Sequence, residues 1–416
     1  MSKLPVTLAD IRAAETALKG QVLRTPTLPA PKLSALTGAE VWVKYENMQV
    51  TNSFKDRGAF MKLSSLDETQ RKTGVVTMSA GNHAQAVAYH AQRLGIPATI
   101  VMPVQTPQVK VRSTEAYGAR VVLDGETLAD SQIRAEALVK DEGLTLVHPY
   151  DDPAVIAGQG TAGIEMLEDA PDLDIIVVPI GGGGLISGIA IAAKGIKRGI
   201  EIIGVESALY PSMINAMTGK EKPKGGPTLA EGIAVKNVGT LTLAVVKGLV
   251  SEVLLVAEPY LERAVNAFAA HQKTMAEGAG AAGLAAMLAY PERFKGKKVG
   301  LVLCGGNIDP RIMSSIMIRE LERENRIAAF RLTINDQPGV LGRIATRLGE
   351  LGANILEVSH GRLYLDVPAK GATLDITVET RDRGHADLVE SELSKFEGIP
   401  CRRIHPGGHG ALNGAP

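Results

Sequence analysis

Four segments of this chain carry residues whose type and spacing offer chemistry. In Glu46–Ala59, ENMQVTNSFKDRGA, Lys55 stands beside Ser53, Asp56, Arg57 and Gly58. A neighbouring cation destabilises an ammonium and favours the neutral amine that attacks an aldehyde. The plainer reading is a surface lysine ahead of a helix. In the second segment, Ser79, Ala80, Gly81, Asn82 and His83 follow the apolar run Val75–Met78. Backbone N–H groups at such a strand-to-helix turn hold an anion, unless Ser79 or Asn82 is simply an N-cap. The third, Pro179–Gly188, reads PIGGGGLISG. Its glycines Gly181, Gly182, Gly183 and Gly184 let backbone wrap closely around a phosphate, with a helix dipole adding favourable charge. The alternative is a flexible loop. Neither G-x-G-x-x-G nor G-K-[ST] is present, so this is not a dinucleotide fingerprint or a Walker loop. The fourth, LVLCGGNID, puts Cys304 at the carboxyl end of a further apolar run, where α/β sheets collect ligands. A lone cysteine there is more often a small buried hydrophobe. His83 and His90 are seven apart on one helix face with no third ligand nearby, which points to packing rather than a metal.

Positioning these residues takes a sheet with helices on both faces. Short β-branched runs at Val41–Lys44, Gly74–Met78, Ala98–Met102, Arg120–Leu123, Ile175–Pro179, Ile202–Val205 and Val299–Leu303 alternate with helix-length stretches. Those stretches include Asn82–Leu94, Thr127–Glu142 and Pro259–Thr274. The alternation predicts βαβ units, a parallel sheet and fold class α/β. Several runs are apolar throughout, as expected of strands covered on both sides.

The rhythm changes after the charged segment Arg319–Arg326, RELERENR. Phe330, Leu332 and Ile334 alternate with polar residues at strand period; Val340, Leu341, Ile344, Leu348 and Leu351 fall on one helical face. A middle strand near Asn354–Leu363 follows. Leu374, Ile376 and Val378 then alternate, and Leu388, Val389, Leu393 and Phe396 mark a second helix. The order predicted is β-α-β-β-α-β, the ferredoxin-like arrangement. Residues from Pro406 onward are rich in Gly and Ala and read as a loose tail. The expected division is 1–322, 327–405 and a tail, 406–416.

Composition narrows the function classes. Lys+Arg and Asp+Glu balance at 45 each, so no excess positive field favours nucleic acid or an anionic membrane. Two cysteines, Cys304 and Cys401, build no disulfide framework, which makes a reducing cytoplasm the default. The N-terminal MSKLPVTLADIRAAE lacks the apolar core of a signal peptide. Ile175–Ala193 is uncharged and long enough to raise the membrane question, but Pro179 and four glycines would disrupt a lipid-exposed helix.

Taken together, the four segments resemble the threonine/serine dehydratase family of pyridoxal-phosphate enzymes, with its two-lobed tryptophan-synthase-β-like fold (fold type II). The resemblance runs from about Leu4 to Arg319 and includes RTPTLPAPKLS, LGIPATIVMP and HPYDDPAVIAGQGTAGIEML. It implies that Lys55 holds the cofactor as an imine and, once released, takes the substrate's Cα proton. Asn82 would contact the 3′-oxygen, Gly181–Leu185 the phosphate, and Cys304 the pyridine nitrogen. Ser79, Ala80, Gly81, Asn82 and His83 would bind the substrate carboxylate. The implied reaction is β-elimination of threonine to 2-oxobutanoate and ammonia, and of serine to pyruvate. A thiol donates weakly to the pyridine nitrogen, which suits elimination; a Cys304 thiolate facing a pyridinium stays open.

Three departures bear on this. Asn52 stands where relatives usually have glycine, which puts the local turn in question. Ala80 replaces the second acid/base serine of the family's racemases, which argues for elimination. Glu206 matches one carboxylate of a divalent-cation site in some relatives, but Ser212 stands where they have aspartate, so the metal is left undecided. The C-terminal unit resembles an ACT domain through LTINDQPGVLGRIATRLGELGANI. Asp336, Gly339, Val340, Leu341 and Asn354 are the implied effector residues, with isoleucine or valine as effector and a homo-oligomer as the setting. The competing expectations are a dehydratase for another β-hydroxy amino acid such as a hydroxyaspartate, a racemase, a plain dimerisation domain at the C-terminus, or a non-catalytic amino-acid sensor.

Overall fold

The computed structural model describes residues 4–221, 223, 225–362 and 371–405. Contacts divide the chain into two compact units, Met1–Asp309 and Pro310–Pro416.

The first unit contains two sheets. The larger runs in the order Thr27–Pro29, Glu40–Tyr45, Lys298–Leu303, Ile175–Pro179, Glu201–Ser207, Glu252–Val256. Its first pair is antiparallel and the other pairs are parallel. The smaller sheet is wholly parallel: Arg120–Leu123, Ala98–Met102, Val75–Met78, Thr145–Leu146. Ile175–Pro179 and Ala98–Met102 are buried at every residue, because helices cover both faces and leave no polar side to alternate with. The uncharged stretch Ile175–Ala193 resolves into a strand, the glycine turn and the start of the helix Gly184–Ile196. Among the described residues no helix is long and apolar enough to cross a membrane.

Seven expected strands are present with ends shifted by at most two residues. Thr27–Pro29, Thr145–Leu146 and Glu252–Val256 are additional. The first two are too short to show a period. The third follows the apolar helix Thr240–Leu249 with no change of composition to mark it. One expected helix is corrected: Pro259–Thr274 is Glu258–Ala267, then a π-helical turn at Phe268–Gln272 that ends on Lys273 at φ 55°. Left-handed backbone terminates a helix whatever the apolar pattern beyond it.

The helix Lys55–Ser64 packs against Asn82–Leu94 and Pro153–Asp169. Thr7, Thr127 and Asp152 cap their helices through side-chain oxygens, two of them in reciprocal capping boxes, satisfying first-turn N–H groups.

The second unit begins with the helix Pro310–Arg323, which takes in much of the charged segment. Its remaining elements are Ile327–Asn335, Val340–Glu350, Asn354–Gly361, Gly371–Glu379, Arg383–Lys395 and Cys401–Ile404. The four strands form an antiparallel sheet with Gly371–Glu379 and Ile327–Asn335 in the middle. Phe330, Leu332, Ile334, Leu374, Ile376 and Val378 lie on one face over Ile344, Leu348, Val389 and Leu393. Phe396 falls just past its helix and is partly buried against this core. The end of the expected middle strand, at Leu363, and the tail from Pro406 lie outside the described residues.

Candidate active site

Backbone pairing brings the Lys55 and Cys304 segments together. Phe54 N–H donates to the Cys304 carbonyl at 3.1 Å, Ser53 and Gly305 form an isolated antiparallel bridge, and Gly306 N–H donates to the Asn52 carbonyl at 3.0 Å. Asn52 has φ 57°. Asparagine tolerates the left-handed region, so it preserves a turn of the kind glycine makes.

Lys55, the first residue of its helix, is half-buried, and its Nζ donates to the Pro149 carbonyl at 2.6 Å. Burial lowers its pKa from the ordinary lysine value to about 8, against the opposing pull of Cys304 and Glu277. The cause differs from the sequence expectation. Arg57 was to supply the repulsion, but its guanidinium points into a separate buried cluster with Glu46 and Glu165. No carboxylate forms an ion pair with Lys55 among the described residues.

Tyr150, next to that carbonyl, carries the glycine turn. A Cβ on Gly182 would lie 2.3 Å from the Tyr150 ring, and Gly183 has φ 97° as it begins the helix Gly184–Ile196. Both positions therefore require glycine, one for close approach and one for backbone. Thr242 Oγ1 donates to the Gly182 carbonyl at 2.7 Å. Asp151 accepts the N–H groups of Thr240, Leu241 and Thr242, at 2.9, 2.9 and 3.2 Å. No side chain caps the helix after the glycine turn. Its first N–H groups have no partner within the helix and face the end that suits an anion. Gly181 and Leu185 flank this start.

The turn at Ser79 has the same property. Its helix Asn82–Leu94 begins at Gly81 with no side-chain cap, so the ordinary N-cap reading fails for both Ser79 and Asn82. Ser79 Oγ instead accepts Gly81 N–H at 3.2 Å. Ala80 offers no polar side chain. His83 is buried with Nε2 3.1 Å from the Val147 carbonyl, and burial together with Lys55 holds its pKa down at about 3. His90 is likewise buried and held at about 3 by burial and Arg93. Both stay neutral and structural.

Cys304 is buried at the end of its strand, and burial plus the nearby Glu277 carboxyl push the thiol pKa far up. In the protein alone it is a thiol, not a thiolate. Glu277 is the residue that sequence reading missed. Its Oε1 accepts from Asn82 Nδ2 at 2.7 Å, burial raises its pKa to about 7, and its charge is felt at Lys55 and Cys304. The signal available was an acid opening the small-residue helix Gly278–Ala289, which alone reads as an N-cap.

Glu206 is taken up elsewhere. Its oxygens accept the N–H groups of Met213 and Ile214 at 2.6 and 3.1 Å. Among the described residues no group of three potential metal ligands occurs. In the second unit Gly339, at φ 87°, opens the helix that carries buried Val340 and exposed Leu341. Asp336 accepts from Arg362 Nε at 2.9 Å, and Asn354 begins its strand opposite Glu379.

Lys55, the two uncapped helix starts, Asn82 and Cys304 suit a ligand with an aldehyde, a phosphate, a ring oxygen and a ring nitrogen. Those are the groups of pyridoxal phosphate. The comparisons agree. The family described as pyridoxal-phosphate dependent enzyme matches residues 18–305. An L-threonine ammonia-lyase of Thermotoga maritima is 44% identical over 390 residues, 93% of this chain and 97% of the relative. The structure of the processed form of threonine deaminase isoform 2 from Solanum lycopersicum matches with TM-score 0.71 at 36% identity, covering 75% of this chain and 86% of that one. Serine racemase from Dictyostelium discoideum matches with TM-score 0.69 at 35% identity, covering 73% and 99%.

Proposed function

The chain belongs to the family of pyridoxal-phosphate dependent enzymes, and from that premise we propose that it deaminates L-threonine to 2-oxobutanoate and ammonia by β-elimination, and L-serine to pyruvate. The observation that carries the reading is the amine of Lys55. It is half-buried, shifted down to about 8 and held by a carbonyl rather than a carboxylate, beside the glycine turn that Tyr150 supports.

When bound, pyridoxal phosphate supplies an electron sink for charge developing at the substrate Cα. The uncapped start at Gly184 holds the phosphate, and the turn Ser79–His83 holds the substrate carboxylate through N–H groups. Asn82 meets the ring oxygen. Cys304 offers the ring nitrogen a weak donor, which disfavours a long-lived negative charge at Cα and suits loss of the β-hydroxyl. Lys55 Nζ accepts the Cα proton as a neutral amine; its lowered pKa makes that form accessible near neutral pH.

Solved racemases share this fold, so fold does not choose between elimination and racemisation. Racemisation needs a second proton carrier on the opposite face of the substrate. Ala80, at the position where the family's racemases carry serine, is not one. Elimination is favoured on that ground.

The C-terminal unit is read as an ACT domain that senses an amino acid such as isoleucine or valine. Its ferredoxin-like order and the left-handed Gly339 at the strand-to-helix turn support this, and the Thermotoga alignment, at 93% of the chain, must extend into it. The test is 2-oxo acid release from a panel of β-hydroxy amino acids, with and without isoleucine and valine. Release from L-threonine and L-serine without formation of the D-enantiomer is expected. No 2-oxo acid from L-threonine overturns the proposal, and rates indifferent to every amino acid tried overturn the sensing role.

A further inference from the structure

Asn82 ends a chain of side-chain amides whose polarity can be read from a single fixed point. That point is the Thr51 carbonyl, which can only accept. Asn307 Nδ2 donates to it at 2.8 Å, which fixes which end of the Asn307 amide is nitrogen. The second hydrogen of Asn307 Nδ2 goes to Asn82 Oδ1 at 2.8 Å. Asn82 must therefore turn its own nitrogen the other way, where Nδ2 donates to Glu277 Oε1 at 2.7 Å. At the far end Asn307 Oδ1 accepts from Asn52 Nδ2 at 3.3 Å.

Three backbone features hold these residues in place. Gly306 N–H is bonded to the Asn52 carbonyl, and Glu277 N–H donates to the Gly305 carbonyl at 3.1 Å. A Cβ on Gly305 would lie 2.3 Å from Glu277 Oε1 and 3.1 Å from Asn82 Nδ2, so glycine leaves room for the contact.

We propose that Asn52, Asn307 and Glu277 are positioning residues that fix the Asn82 amide as a hydrogen-bond donor toward the cofactor's ring oxygen. The inference rests on the cofactor reading of the site. With Oδ1 taken by Asn307 and one Nδ2 hydrogen taken by Glu277, the remaining Nδ2 hydrogen is the group Asn82 has to offer. A ring oxygen carrying negative charge attracts a donor and is repelled by an amide carbonyl. A free asparagine samples both orientations; this one is wired to one. The glycine that relatives usually carry at position 52 has no side chain to extend the chain, so the Asn52 link is a property of this sequence.

Asn307→Asp keeps the volume but removes both donors, leaving the Thr51 carbonyl and Asn82 Oδ1 facing a carboxylate. The experiment is a pyridoxal-phosphate titration of the cofactor-free chain, giving a dissociation constant from the change in absorbance. It is run for wild type, Asn307→Asp, Asn82→Ala and the double variant, with a melting curve for each. Asn307→Asp is expected to weaken binding about tenfold, and the penalty is expected to vanish when Asn82 is already alanine. Asn52→Gly, which keeps a backbone compatible with φ 57°, should weaken binding by about two- to threefold and likewise only while Asn82 is present. It carries the test if Asn307→Asp does not fold. Equal penalties in both backgrounds, or none in either, overturn the proposal while leaving the cofactor reading intact. Failure of the wild-type chain to bind pyridoxal phosphate overturns both.

Discussion

One helix carries two cations in opposite environments. Arg57 is fully buried, with Nε and Nη2 2.8 and 2.7 Å from the Glu46 oxygens, and Nη1 and Nη2 each 2.7 Å from Glu165. Thr161 Oγ1 accepts from Nη1 at 3.0 Å. Buried Lys44 joins through Glu165 and donates to the Thr25 carbonyl at 2.6 Å. Burial disfavours the charges of Glu46 and Arg57, yet their pairing overrides it: Glu46 is lowered to about 2 and Arg57 is raised, whereas at Lys44 burial outweighs the pull of Glu46 and Glu165 and the pKa falls. Two residues earlier, Lys55 is given one carbonyl and, among the described residues, no carboxylate in contact, and its pKa falls. Burial that is repaid by fixed partners makes a permanent charge and a rigid support. Burial left largely unrepaid makes a group that gives up and takes a proton.

Replacing each cation tests this contrast. Lys55→Ala should reduce 2-oxobutanoate release by roughly a thousandfold or more and abolish the bound-cofactor absorbance, while melting stays within a few degrees of wild type. Arg57→Ala should do the reverse in kind. Stranding Glu46 and Glu165 without their shared partner should cost about 3–5 kcal/mol of stability, measured by denaturant unfolding. Similar stability losses for both variants would break the comparison.

The pH dependence sharpens it. Lys55 takes a proton only as the neutral amine, so kcat should rise with pH through an inflection at about 8, the lysine's shifted value, and level off above it. A kcat flat across that range would remove Lys55 as the base. The smallest effect concerns Glu277. Its folded pKa, about 7, is raised above its ordinary value of 4.5. In that window the folded chain binds a proton that the unfolded chain has lost, so its contribution to stability is present below pH 4.5 and is lost as pH rises through 7. Glu277→Gln should remove this loss. The cofactor-free wild type should therefore fall relative to the variant by about 3 kcal/mol between those limits.

Much of this was legible in the chain itself. Apolar runs such as Ile175–Pro179 and Ala98–Met102 announce covered parallel strands, because side chains buried on both faces leave no polar alternation. Glycines 181–184, placed between such a strand and a helix, point to an anion because few other needs gather four there. Lys55, Asn82 and Cys304 stood out by position in recognisable motifs. Glu206 shows what that method leaves out: its oxygens accept two backbone amides that no motif records.

Local sequence determined the elements, their alternation and the residues with reactive types. Tertiary structure decided their chemical state. That Lys55 is depressed by burial and not by Arg57, that Cys304 in the protein alone is a thiol, and that Glu277 joins Asn82 across 195 positions all depend on which groups share a low-dielectric neighbourhood. Electrostatic interactions depend on separation and desolvation in space, and neither can be read from spacing along the chain.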